Sequence, residues 1–395
     1  LDLGVIPLAF VGRLPASKSM MNRALLAQSY FPQLVIQGDS SSEDVRLMKE
    51  AVAGLHARQE MNAGSAGTVL RFMALRASRV PGHHKISGEK RLFERPQQEL
   101  LKILKQLGVE ARLGENFLEI DGAGWKLHGD TLLVPSDRSS QFASSVLLNA
   151  WDLPFDLYVS LGGRKVSEGY WRMSSRMAQL LGMRIDFWDG DFRVPRGQKV
   201  TADEIILEID MSSAFAVAAV AAVSGRATLS DFPEASLQPD AQFVSVLSSM
   251  GVPVSLGAQG LKVEKAARLN GVRVNLSSMP DLFPVLAALC ALAHGESDLH
   301  SAPQLVFKES NRLQRMAEVI QQLGRRVTVK EDGLVVHGEE PVHATAPFDF
   351  DTDQDHRLAF AAAIFKAAGI AVTIRNPEVV NKSFPEFWNI LGWRP

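Results

Sequence analysis

Apolar and polar positions along the chain fall into a pattern that returns several times. It is an amphipathic helical stretch, a small or apolar residue plus Gly, then a short alternating strand and a turn. In KILKQLGVEARLGENFLEIDG the helix is expected to end at Leu107 and Gly108, and in RMAQLLGMRIDFWDGDFRV at Leu181 and Gly182. FVSVLSSMGVPVSLGAQGLKVE follows at Met250 and Gly251, and RMAEVIQQLGRRVTVKEDGLVVHG at Leu323 and Gly324. LMKEAVAGLHA, with Gly54, reads as a weaker first copy, and FWNILGW, with Gly392, as a truncated last one. In the four clear copies Gly suits a helix C-cap that needs positive φ. Gly-Glu-Asn, Asp-Gly or Ala-Gln-Gly at the next turn suits a hairpin. The intervals, roughly 55 to 75 residues, are too long for a solenoid. Six βα-type units in two groups of three predict a pseudo-symmetric α+β protein of two domains, helices packed on sheets, with a ligand in the cleft between them.

Composition narrows the class. A chain of 395 residues suggests two or three domains, and 46% apolar with 22% charged residues is ordinary for a globular protein. Lys plus Arg is 42 against 44 for Asp plus Glu, so no broad basic field favours nucleic acid. The single cysteine, Cys290, rules out an internal disulfide; in LFPVLAALCALAHG it reads as a buried structural thiol. That run and AFAVAAVAAVSG are too short to span a bilayer. The opening LDLGVIPLAF has no basic stretch before an apolar signal core and does not begin with Met. A cytoplasmic monomer without membrane contact is expected. His83 and His84 have no metal-ligand spacing and read as solvated.

Several stretches combine small residues, hydroxyls and isolated charges. In LPASKSMMNRALLAQSY a helix should begin around Ser17 to Ser19 with a serine N-cap. Lys18 stands at its positive end, and Ser19 and Arg23 share a face; together they suit a phosphate or carboxylate, although a capping serine beside a solvated lysine would read the same way. NAGSAGTVLRFMAL sets Gly64, Gly67 and Thr68 before a helix carrying Arg71, leaving backbone N–H groups approachable. GEKRLFERPQQEL places Arg91 and Arg95 before Pro96, a good first helical residue. PSDRSSQFASSVLLNA has Ser139, Ser140 and Gln141 at a helix start, able to cap it or bind a polyhydroxylated ligand, and KVSEGYW adds Ser167 and Tyr170. In the second half Asp281 heads an apolar helix; Lys308, Glu309 and Arg312 head another; Asp355, His356 and Arg357 a third; Lys382 follows. Each is explicable as capping, but charged entrances in most repeats point to a shared anionic ligand.

Taken in order, these segments resemble the 5-enolpyruvylshikimate-3-phosphate synthases. SKSMMNRALL is similar to the family's SKS-x-x-NRAL signature, GSAGTVLR to its GNAGT-x-x-R loop and FERP to its ERP motif. SSQF, the VS-x-x-Y around Ser167, the PD at Pro280 and Asp281, KESNR, DHRLA and NKSFPEFW follow in family order, from about residue 14 to 390. The resemblance implies the two-domain enolpyruvyl transferase fold, three repeats to a domain, with residues 1–11 and 210–395 in one domain and 12–209 in the other. It also implies transfer of the enolpyruvyl group of phosphoenolpyruvate to the 5-hydroxyl of shikimate 3-phosphate, without cofactor or metal, in the shikimate pathway of aromatic amino-acid biosynthesis. Lys18, Ser19, Arg23, Ser139, Ser140, Gln141 and Ser167 would hold shikimate 3-phosphate, with Asp281, Gln304 and Lys308. Phosphoenolpyruvate would lie among Lys18, Gly67, Arg95, Gln141, Arg312, Arg357 and Lys382. Lys18, Asp281 and Glu309 would be catalytic, Asp281 as base and Glu309 as acid. Gly67 would leave room for glyphosate, the family's inhibitor. Because the implied residues come from both halves, closure on substrate is expected.

Four positions depart from the family pattern: Ala16 for Gly, Ser65 for Asn, Asn311 for Asp beside Arg312, and Gln354 for Asn. Three other readings compete. A transferase acting on UDP-N-acetylglucosamine generally uses a loop cysteine, which Cys290 is not. A catalytically weakened relative binding phosphorylated ligands would not need both carboxylates. An RNA-end-processing relative would want a basic stripe.

Overall fold

A computed structural model describes residues 7–163, 166–338 and 347–393. The first residues, read above for a signal sequence, lie outside that range. The chain divides into two compact units, one of Leu1–Pro15 with Glu208–Pro395 and one of Ala16–Leu207. The second is therefore inserted in the first, and they are called here the inserted unit and the split unit.

Strand β1 (Ala9–Gly12) opens the split unit. The inserted unit then starts with helix α1 (Lys18–Gln28), strand β2 (Val35–Gln37) and helix α2 (Glu43–Ala57). Next come β3 (Met61–Asn62), α3 (Gly67–Ala77), β4 (Gly82–Ser87), the short α4 (Lys90–Glu94), α5 (Gln98–Gln106) and the hairpin β5 (Glu110–Leu113) with β6 (Phe117–Gly122). The third segment is β7 (Leu132–Pro135), α6 (Gln141–Leu148), β8 (Leu157–Gly162), α7 (Glu168–Leu180) and the hairpin β9 (Asp186–Trp188) with β10 (Asp191–Val194). The chain leaves through β11 (Glu204–Ile206), which pairs in parallel with β2, Ile205 opposite Ile36. The two sheets run β3-β4-β6-β5 and β7-β8-β10-β9, in each a parallel pair joined to an antiparallel hairpin.

The split unit repeats the plan. Its first segment joins β1 to α8 (Met211–Ser224), β12 (Arg226–Leu229), α9 (Phe243–Ser249), β13 (Val254–Gly257) and β14 (Gly260–Glu264). The second is β15 (Arg273–Asn275), α10 (Phe283–Leu292), β16 (Gly295–His300), α11 (Arg312–Gln322), β17 (Arg326–Lys330) and β18 (Gly333–Gly338). The last is β19 (Phe348–Asp351), α12 (His356–Ala367), β20 (Val372–Arg375) and α13 (Phe387–Ile390), with no hairpin among the described residues. Sheet orders β1-β12-β14-β13 and β15-β16-β18-β17 match those of the inserted unit, and β19 pairs in parallel with β20.

The apolar runs are core helices. In α8, α10 and α12 residues on every side are buried, and the three pack on one another; α1, α3 and α6 do the same in the inserted unit. No helix among the described residues is long and apolar enough to cross a membrane. Gly108, Gly182, Gly251 and Gly324 all take positive φ just past a helix, as the C-cap reading requires, and Gly392 of the truncated copy does the same. Gly54 does not. It lies inside α2, close to the backbone oxygen of Glu60, and Arg58 takes the left-handed position instead. Pro96 also differs from expectation. Arg95 adopts the extended backbone usual before a proline, but the helix begins later, with Gln97 as N-cap and α5 from Gln98.

Candidate active site

In the inserted unit, Ser17 caps α1 by accepting from the Met20 N–H at 3.4 Å. Lys18 is not solvated: its Nζ donates to Asp44 Oδ2 at 2.9 Å, with side chains 13% and 5% exposed. Arg23 is buried and donates through Nε to Ser174 Oγ (2.8 Å), through Nη1 to the Ser19 carbonyl (2.7 Å) and through Nη2 to the Tyr170 carbonyl (3.5 Å). All three acceptors are neutral. Burial without a counter-charge pushes the Arg23 guanidinium down to about 10.

Gly67 is the first residue of α3, and a Cβ placed there would lie 3.1 Å from Arg95 Nη1. A guanidinium against the positive end of a helix is unfavourable alone, whereas a bound anion would be stabilised by both. One turn on, Arg71 donates to Gln141 Oε1 (2.8 Å), Ser139 Oγ (3.4 Å), Gln97 Oε1 (3.2 Å) and the Pro96 carbonyl (3.1 Å). Gln141 reaches Thr68 Oγ1 at 3.3 Å, and its own N–H donates to Ser139 Oγ at 3.2 Å. Ser139 thus caps α6, because buried Ser140 already has helical dihedrals. Ser167 precedes α7 with φ 55°, a left-handed conformation that a serine adopts only under tertiary constraint.

In the split unit, Asp281 sits in a tight turn, Pro280–Leu282, leading into α10. Three cations meet its carboxylate: Lys308 Nζ (3.0 Å) and Arg312 Nη1 (2.9 Å) at Oδ1, and Arg357 Nη2 (3.0 Å) at Oδ2. Burial would raise the Asp281 carboxyl, but Arg357, Lys308 and Arg312 together hold it well below the usual carboxylate range. Arg312 also donates to Glu309 Oε2 (2.9 Å) and to both oxygens of Asp355 (2.8 and 3.2 Å). Asp355 in turn caps α12 by accepting from the Arg357 N–H at 3.0 Å. Gln304 and Lys382 are buried in the turns Pro303–Phe307 and Pro377–Lys382.

The residues expected from sequence divide between the units, Lys18, Ser19, Arg23, Gly67, Arg95, Ser139, Ser140, Gln141 and Ser167 in one, Asp281, Gln304, Lys308, Glu309, Arg312, Arg357 and Lys382 in the other; ion pairs join Asp281, Lys308, Glu309, Arg312 and Arg357. Asp44, Ser144 and Ser174 were not legible as parts of these networks. An acid in a first helical turn and serines in helix interiors carry no sequence signal of their own.

The model of the EPSP synthase (3-phosphoshikimate 1-carboxyvinyltransferase) family matches residues 55–391. The chain belongs to this family. It is 31% identical over 400 residues to the 3-phosphoshikimate 1-carboxyvinyltransferase of Thermococcus kodakarensis, covering 95% of each chain. It is 32% identical over 337 residues to that of Methanoculleus marisnigri, 84% of this chain and 78% of the relative. In fold it is similar to an EPSP synthase from Acinetobacter baumannii, with TM-score 0.73 at 21% identity over 98% of this chain and 96% of that one. It is similar also to the enolpyruvyl transferase NikO from Streptomyces tendae, with TM-score 0.72 at 16% identity over 98% and 94%. The α+β two-domain fold is thus that of the enolpyruvyl transferases.

Nothing in the structure explains Ser65; the other three departures from the family pattern have definite local settings. Ala16 has negative φ, so Gly is not required. Asn311 caps α11 by accepting from the Gln314 N–H at 3.1 Å, and Arg312 is oriented by Asp281, Glu309 and Asp355 without a charge at 311. Gln354 has φ 57° and follows Asp353 at φ 47°, a left-handed pair in which Asn would be easier.

Proposed function

We propose that this chain transfers the enolpyruvyl group of phosphoenolpyruvate to the 5-hydroxyl of shikimate 3-phosphate in the cytoplasm, releasing phosphate. Family membership supports the reaction class. The observation that carries the substrate assignment is Arg23, a buried cation hydrogen-bonded, among the described residues, to neutral groups only, which an anionic substrate would neutralise. Lys18, Ser19, Arg23, Ser139, Ser140, Gln141 and Ser167, with Asp281, Gln304 and Lys308, hold shikimate 3-phosphate. Lys18, Gly67, Arg95, Gln141, Arg312, Arg357 and Lys382 hold phosphoenolpyruvate.

In the addition step the 5-hydroxyl oxygen bonds to C2 of phosphoenolpyruvate while the methylene carbon takes a proton. In the elimination step the C2–O bond to phosphate breaks and the methyl group returns a proton, restoring the double bond. Asp281 is the base and Glu309 the acid. While ringed by Lys308, Arg312 and Arg357, Asp281 is a poor base. As those cations turn to the phosphate and carboxylate of the substrate, Asp281 loses counter-charge and its proton affinity rises. The remaining cations hold the charge of the tetrahedral intermediate.

A phosphate-release assay tests the assignment. Turnover is expected with shikimate 3-phosphate and not with UDP-N-acetylglucosamine, whose transferases generally use a reactive thiolate; burial pushes the Cys290 thiol up to about 12. Release with neither acceptor refutes the enzyme reading and leaves a ligand-binding relative.

A further inference from the structure

We propose that Ser174, backed by Ser144, is a positioning residue that aims Arg23 at the anionic acceptor; this rests on the assignment of Arg23 to shikimate 3-phosphate above. Ser174 lies within α7 and Ser144 within α6, and both are fully buried. The Ser174 hydroxyl accepts from Arg23 Nε at 2.8 Å and lies 2.7 Å from Ser144 Oγ and 2.9 Å from the Tyr170 carbonyl.

A hydroxyl has one proton and two lone pairs. When Ser174 donates to the Tyr170 carbonyl, its lone pairs receive Arg23 Nε–H and the Ser144 hydroxyl, so every valence is used. The fully occupied hydroxyl cannot rotate away from the guanidinium. Arg23 is then fixed at two edges of one plane, at Nε by α7 and at Nη1 by the Ser19 carbonyl of its own helix. The terminal nitrogens stand at the less buried end of that plane and carry the N–H groups that suit a bidentate oxyanion. A tie between helices alone would not need a cation there, since burying an unneutralised guanidinium costs more than burying a neutral donor.

The test is a set of variants measured by titration calorimetry with shikimate 3-phosphate and by steady-state kinetics. Removing a hydrogen bond to a charged group predicts affinity for shikimate 3-phosphate about tenfold weaker in Ser174→Ala, with KM for that substrate moving much more than kcat. Ser174→Thr keeps the hydroxyl and restores most of the affinity. Ser175→Ala is the control, since its hydroxyl bonds only the Trp171 and Arg172 carbonyls of α7; it should match the wild type. On an Arg23→Lys background Ser174→Ala adds nothing further, because it acts through the guanidinium. Wild-type affinity in Ser174→Ala, or an equal loss with and without Arg23, overturns the proposal. Failure of the wild type itself to bind shikimate 3-phosphate overturns the substrate assignment instead.

Discussion

Asp355→Asn tests how the split unit holds its arginine. Asp355 is fully buried and accepts from Ser310 Oγ (3.0 Å), Arg312 Nε (2.8 Å), Arg312 Nη2 (3.2 Å) and the Arg357 N–H (3.0 Å). Asparagine keeps the shape but has one acceptor oxygen, and it turns an NH2 group towards donors. Breaking one partner of a buried ion pair costs about 3–5 kcal/mol. Arg312 retains Asp281 and Glu309, which puts the loss at the low end, about 3 kcal/mol. For a domain of this size that lowers the melting temperature by roughly 6–12 °C. Thermal unfolding followed by circular dichroism at neutral pH reads it. Asp349→Asn is the reference, because its ion pair with Arg375 is exposed on both sides and is worth little. KM for phosphoenolpyruvate should rise in Asp355→Asn as Arg312 loses its aim. A melting temperature for Asp355→Asn no lower than that of Asp349→Asn would refute the argument that this buried pair carries the unit.

Gln354→Asn should stabilise the protein by about 0.5 kcal/mol, since Asn tolerates the left-handed backbone better, and a small rise in melting temperature checks it. Cys290 should resist iodoacetamide in the folded protein at pH 8 and react on unfolding, because burial keeps the thiol protonated. With its folded value raised to about 12, its contribution to stability is complete below its unfolded value and lost as pH rises from about 9 to about 12. Denaturant titrations across that range should show Cys290→Ala declining less steeply.

The four segments that read clearly as helix, Gly and hairpin are the four that build four-stranded sheets. Their glycines were informative because positive φ leaves few residue choices. Among the described residues the two faint copies show a parallel pair and no hairpin: β2 with β11, and β19 with β20. Gly54 misled because a glycine inside a helix near its end looks the same in sequence as one beyond it. Motif residues such as Lys18 and Asp281 stood out as charges at helix entrances. Their counterparts did not, since Asp44 is an ordinary first-turn acid, and nothing local marks Ser174 as the neighbour of Arg23 from another segment.

The nesting of one unit within the other has a consequence for biosynthesis. Among the described residues strand β1 pairs only with β12, Ala9 opposite Arg226, and the entire inserted unit is encoded between them. At ribosomal speeds strand β1 emerges roughly 10–40 s before its partner exists. The inserted unit can meanwhile fold as a self-contained body, while the exposed edge carrying Val11 waits. Nascent chains stalled before residue 226 should therefore present a finished insert and an unpaired β1 strand that chaperones can bind.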